Sequence, residues 1–226
     1  MPIAPVAKLT KKKITWLATH RCEAHGHTFL EHYNCYTKEN VEEERIGFLD
    51  LETSNLNADY GMILTYCILD SRTDEILHGE ITPEDIADSR PGREDTRVVK
   101  QLLKDLEKFD KVVTYYGARF DLPFLRTRAI VDKVPFLTYG ALNHRDCWFT
   151  VRGKFKISSN RLENACRVIL GKTRKTRITS QYWNGATRGE AECIAYVLQH
   201  NKYDVLDLRD LFYKIEDYAR PNNNSI

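Results

Sequence analysis

The sequence predicts an α/β fold, a mixed β-sheet flanked by helices, with a small Cys/His segment in front of it. Three observations carry that prediction. The stretch Ile46-Gly-Phe-Leu-Asp50-Leu-Glu52-Thr53 is apolar on both alternating faces, as a strand at the centre of a sheet must be. Residues 95–109 place Val98, Val99, Leu102, Leu103, Leu106 and Phe109 at helical spacing. The elements then follow one another as β-β-β-α-β-α, which implies a mixed rather than an all-antiparallel sheet.

Taken in order, residues 1–40 read as a basic tail and a zinc-binding segment, 41–220 as the α/β domain, and 221–226 as a disordered tail. The first thirteen residues contain lysines but no long apolar core, so they do not form a secretory signal. Cys22-x2-His25 and His32-x2-Cys35 face each other across six residues. Thiolate and imidazole are the ligands zinc prefers, and a two-residue gap lets both members of a pair reach one ion. The expected structural Zn²⁺ site is therefore Cys22, His25, His32 and Cys35, with His20 or His27 as substitutes. The plainer alternative is a histidine-rich surface loop. After an acidic run at 41–44 come three strands, 46–53, 62–69 and 75–81, expected as an antiparallel meander. Residues 82–94 are loop or a short helix, and Asp95 is placed to cap the helix after it. A strand over 112–116, a break at Gly117 and a helix over 121–131 follow. His144-Arg-Asp146 ends a further strand, and 196–208 has the apolar spacing of a helix.

With 226 residues, 42% apolar and 29% charged, the chain is long enough for one sizeable core and is expected to be soluble. No apolar run approaches the ~20 residues of a membrane helix. Six cysteines without a signal point to a reducing, cytoplasmic setting. Residues 39–59 hold seven acids against one base, and residues 152–177 hold nine bases against one acid. An acidic focus beside a basic strip suits a metal centre acting on a polyanion, although two solvated faces would look the same. Gly171-Lys-Thr is not a P-loop, because Cys166 stands where its first glycine belongs.

Asp50 and Glu52 share one face at the end of the first strand, and burying two carboxylates without a cation is costly. Asp121 follows a strand and a glycine turn in Gly117-Ala-Arg-Phe-Asp121, and Asp204 lies one helical turn after His200. Asp50-x-Glu52, Phe120-Asp121 and a late His-x3-Asp, in that order over residues 45–218, resemble the DEDD 3′→5′ exonucleases of the RNase H-like superfamily. The resemblance implies an RNase H-like core. It also implies a catalytic set of Asp50, Glu52, Asp121 and Asp204 holding two Mg²⁺ or Mn²⁺ ions. His200 would be the water-orienting base. It stands at the spacing where one subfamily has tyrosine, whereas the other has histidine one residue earlier, a rotation of about 100° on a helix. Asp146 is expected to support the site without binding metal.

Hard cations want carboxylate oxygens, and a pair of them can stabilise both the attacking and the leaving oxygen of a phosphodiester. For substrate, the strip Arg152, Lys154, Lys156, Lys172, Arg174 and Lys175, with Arg119 and Arg126 beside Asp121, suits a single-stranded DNA or RNA end held by phosphate contacts and stacking. Two other readings stand beside the exonuclease. One is a structure-specific endonuclease on the same fold, and the other a non-catalytic, zinc-containing nucleic-acid-binding module.

Overall fold

The computed structural model describes residues 11–33, 35–36, 44–138 and 140–219. The expected disordered tail at 221–226, the first ten residues and most of the acidic run before the first strand lie outside them. Five strands form one sheet: β1 (Ile46–Thr53), β2 (Ile63–Asp70), β3 (Ile76–Glu80), β4 (Lys111–Thr114) and β5 (Asn143–Asp146), in the order β3-β2-β1-β4-β5. β1 pairs antiparallel with β2 and parallel with β4, so it is the central strand its two apolar faces predict. Around the sheet lie α1 (Lys11–Thr19), α2 (Pro83–Asp88), α3 (Thr96–Leu106), α4 (Asp121–Val131), α5 (Cys147–Lys154), α6 (Leu162–Ile169), α7 (Ser180–Thr187) and α8 (Ala191–Ile215).

The period-2 pattern of β1 divides the core in two. Leu49 and Leu51 face α3 and α4, packing with Val98, Leu102, Leu106, Leu125 and Phe109. Phe48 faces the other way, with Val205, Leu208 and Phe212 of α8 and Val151 of α5. Each such side chain contributes about 1.5–3 kcal/mol on burial. Gly47 lets the two layers close: a Cβ there would lie 2.8 Å from Ile68 and 3.0 Å from Phe109. Asp50 and Glu52, in phase with Phe48, therefore point toward α8. A third cluster of Leu17, Cys22, Phe29, Cys35 and Tyr36 forms its own small core in the N-terminal segment.

The structure corrects two local expectations. Asp95 makes no capping hydrogen bond at α3. Its carboxylate is fully buried and accepts from Arg128 Nε and Nη2 (3.0 and 2.5 Å) and from the Ile63 N–H (2.8 Å). Arg128 is itself 1% exposed and also donates to the Gly92 carbonyl, so one ion pair joins β2, α3 and α4. The strand expected over 112–116 ends at Thr114. Tyr116 leaves the sheet with φ +69°, and its N–H turns to the Asp146 carboxylate at 2.8 Å.

Candidate active site

Parallel pairing of β1, β4 and β5 brings three strand ends to one edge of the sheet, and α8 passes across it. In this cleft, carboxylate oxygens of Asp50, Glu52 and Asp204 all lie within 4.8 Å of one another. Two come from β1 and the third from a helix more than 150 residues later. Asp121 opens α4 after the turn at Gly117, where a Cβ would sit 2.5 Å from Thr114. Its Oδ1 accepts from the Leu51 N–H at 3.0 Å, which places it beside the three-acid group but outside it. Asp146 holds the turn between β4 and α4, accepting from the Tyr116, Ala118 and Trp148 N–H groups. It lies outside the three-acid group.

The electrostatics are those of a crowded cluster. Burial pushes Asp50 well above its ordinary value, and Asp204, Asp121 and Glu52 push it further. Glu52 rises to about 8, from burial and then Asp204. Asp121 rises to about 7 from burial, against the hydrogen bond from Leu51. Asp204 rises from burial, with Lys175 opposing. Among the described residues a lysine reaches the group: Lys175 Nζ lies 2.7 Å from Asp204 Oδ2. Burial disfavours its charge, but Asp204, Asp50 and Glu52 outweigh that, and its pKa stands above the ordinary lysine value. Asn201 of α8 donates to Asp50 Oδ2 at 2.7 Å. Asp204 Oδ1 and Asn201 Oδ1 are buried acceptors with no hydrogen-bond partner among the described residues. Three crowded carboxylates and two unpartnered acceptor oxygens fit a hard divalent cation.

The other expected residues separate. His200 is 4% exposed, and its ring meets the Thr176 hydroxyl at 2.7 Å. Burial lowers its pKa, with Asp204 opposing. Of the basic strip, Arg174 pairs with Asp207 and Asp210 (2.8 Å each), tying the 171–177 segment to α8. Lys175 belongs to the acidic cleft. Arg119, Arg126, Arg152, Lys154, Lys156 and Lys172 are exposed. Asn201 was not anticipated, although its i−3 spacing from Asp204 puts it on the same helix face.

In the N-terminal segment, donor atoms of Cys22, His25, His27 and Cys35 lie within 4.8 Å of one another. Cys22 Sγ is 3.5 Å from His25 Nδ1 and 3.6 Å from His27 Nε2, and Cys35 Sγ is 3.3 Å from His25 Nδ1. A tetrahedral zinc with ordinary bond lengths spaces its ligand atoms by roughly 3.3–3.8 Å, so the group could bind zinc. His27, expected as a substitute, lies within this group, and His32 Nδ1 lies 3.3 Å from Cys35 Sγ and 3.1 Å from His27 Nε2. His20 stacks on Trp16 instead, at 4.1 Å between ring centres.

A family model described as the RNase H superfamily matches residues 47–216. Among solved structures, the family B DNA polymerase from the hyperthermophilic archaeon Pyrobaculum calidifontis aligns with a TM-score of 0.61 at 18% identity. The alignment covers 77% of this chain and 25% of the polymerase, so the chain spans about a quarter of that protein, and the likeness is one of fold. No curated protein matches the sequence. The mixed sheet with its flanking helices is the RNase H-like fold that the motifs imply.

Proposed function

Because the chain belongs to the RNase H superfamily, we propose that it is a metal-dependent 3′→5′ exonuclease acting on single-stranded or fraying ends of DNA or RNA. The observation that carries this reading is the convergence of Asp50, Glu52 and Asp204 within 4.8 Å, with Asp204 Oδ1 buried and without a hydrogen-bond partner among the described residues. Asp50, Glu52 and Asp204 would hold Mg²⁺ or Mn²⁺, two ions by the pattern the sequence resembles, with Asp121 beside them. Bound there, the ions supply an acidified water and charge neutralisation at the phosphodiester. Asn201 holds Asp50 in one rotamer by its 2.7 Å hydrogen bond. Lys175 fixes Asp204 and sets a positive charge beside the position of the scissile phosphate. His200 is the residue we assign to receive a proton from the attacking water, with Thr176 orienting its ring. Hydrolysis places the water oxygen on phosphorus and the proton on the departing 3′ oxygen, releasing a nucleoside 5′-monophosphate.

Direction rests on the sequence resemblance. End-labelled linear and closed circular single strands test it together with Mg²⁺ and Mn²⁺. Stepwise release of mononucleotides from linear strands alone is expected, and cleavage of circles would make the enzyme an endonuclease. Cys22, His25, His27 and Cys35 would hold one structural Zn²⁺ ion that stabilises the N-terminal segment.

A further inference from the structure

Five buried side-chain polar atoms have no hydrogen-bond partner among the described residues, and three of them belong to Asp204, Asn201 and Thr65. The scheme above uses the first two residues but not Thr65. Its hydroxyl lies on β2, in a side chain that is 0% exposed. A buried hydroxyl with nothing to bond is costly, and such groups in native folds call for a reason.

The strand register supplies one. β1 and β2 run antiparallel with Glu52 opposite Thr65 and Asp50 opposite Cys67. Directly opposed residues share a face of the sheet, with Cβ atoms about 4.5–5.5 Å apart. Thr65 therefore stands beside Glu52, in phase with Cys67 and Leu69, which pack under α8. The three rotatable bonds of a glutamate are enough to bring one of its oxygens to a hydroxyl at that spacing. The other two acids already show such an arrangement. One oxygen of Asp50 accepts from the Asn201 amide at 2.7 Å, and one oxygen of Asp204 accepts from Lys175 at 2.7 Å. Glu52 takes neither of those donors, and the hydroxyl opposite it has no acceptor.

We infer that Thr65 is a positioning residue of the metal centre: in the ion-loaded protein its hydroxyl donates to one oxygen of Glu52. Each of Asp50, Glu52 and Asp204 then has one oxygen tied to the protein and one left for the ion. This rests on the metal-dependent reading above for which acids hold the ion. The arrangement also selects among ions. Ca²⁺ takes roughly 6–8 oxygens and readily uses both oxygens of a carboxylate, whereas Mg²⁺ wants a tight octahedron. Carboxylates with one oxygen tied suit the smaller ion. Thr65, with Asn201 and Lys175, thus sets a preference for Mg²⁺ or Mn²⁺ over Ca²⁺.

The test reads ion binding rather than turnover. Full-length wild type, Thr65→Val, Thr65→Ser and Asp50→Asn are titrated with Mn²⁺, the free ion being read by its paramagnetic resonance, and with Ca²⁺ by competition. Thermal midpoints are taken without added Mn²⁺ or Ca²⁺. Valine keeps the shape of threonine and removes the hydroxyl. Thr65→Val is expected to leave the ion-free midpoint equal or higher, because an unbonded buried group is gone. It should weaken Mn²⁺ binding about 10-fold, as loss of a group that orients a metal ligand does. Ca²⁺ should lose less, so the preference shifts toward Ca²⁺. Thr65→Ser, which restores the hydroxyl, should recover most of the Mn²⁺ affinity. A Mn²⁺ loss of about threefold or more, with that shift and that recovery, supports the role. A smaller loss, equal losses for both ions, no recovery in Thr65→Ser, or a lowered ion-free midpoint in Thr65→Val each overturns it. A wild type without a Mn²⁺ site that Asp50→Asn abolishes would instead refute the metal centre on which the role stands.

Discussion

Two acid–base pairs with a buried acid have opposite characters in this protein. Asp95 and Arg128 are one acid and one base, both about fully buried, with the carboxylate taking three donors. Asp204 and Lys175 lie 2.7 Å apart, but that lysine is 36% exposed and serves a cleft that also holds Asp50 and Glu52, with Asp121 adjacent. The first pair is closed: its charges cancel and its hydrogen bonds are made. The second is under-neutralised, with an Asp204 oxygen left without a donor. A crowd of buried acids with too little positive charge is a mark of a candidate functional site, and it sets this cleft apart from the closed pair at Asp95.

The comparison can be broken most forcefully at Asp50. Asp50→Asn is expected to lower metal-dependent cleavage on the order of 10³-fold or more while leaving the thermal midpoint equal or higher, since it removes one repelling carboxylate. Retained activity would remove Asp50 from the centre. The reciprocal change, Asp95→Ala, leaves Arg128 charged and buried, with its close bidentate partner gone and only Asp132 at 3.9 Å. It should cost about 3–5 kcal/mol in denaturant unfolding, and a loss below about 1 kcal/mol would show that the pair is dispensable.

The pH dependence of stability sharpens the contrast. Glu52 and Asp121 have folded-state values raised to about 8 and about 7. For acids raised by folding, the stability is full below their unfolded values near 4 and is lost as pH rises through the folded ones. Metal-free protein should therefore lose a few kcal/mol of stability progressively between pH 5 and pH 8, and its melting temperature should fall with it. Mg²⁺ should raise the midpoint more at pH 8 than at pH 6, because the carboxylates it needs are then ionised. A metal-free melting temperature flat across that range would contradict the crowding of the acids.

The smallest effect is expected at the N-terminal segment, whose aromatic core is separate from both sheet faces. Elemental analysis of untagged protein should find one zinc per chain. His27→Ala should lose most of it and His32→Ala little, with the main unfolding transition nearly unmoved in both. Less than half an equivalent in the wild type would remove the zinc site.

Much of the fold was legible along the chain because it depends on short-range periodicity. The two-faced apolar pattern of β1 placed it at the centre, and helical spacing marked α3, α4 and the middle of α8. Asp50, Glu52 and Asp204 were legible as acids at motif spacing. What each basic residue does was not. Arg174 and Lys175 are neighbours in one basic run, yet one ties a loop to α8 and the other enters the acidic centre. Asp95 stood at a helix start, where a cap is the ordinary local use, but a long-range arginine offered a stronger partner.

The amino-acid order alone thus settled the strand phases, the helix faces and the identity of the acids, since these follow from the repeat of the backbone and from which side chains carry charge. Convergence across the sheet edge settled which cation meets which acid and how Asp146 sets Tyr116 beside Trp148. Those pairings depend on distances between segments far apart in sequence, which no local pattern encodes.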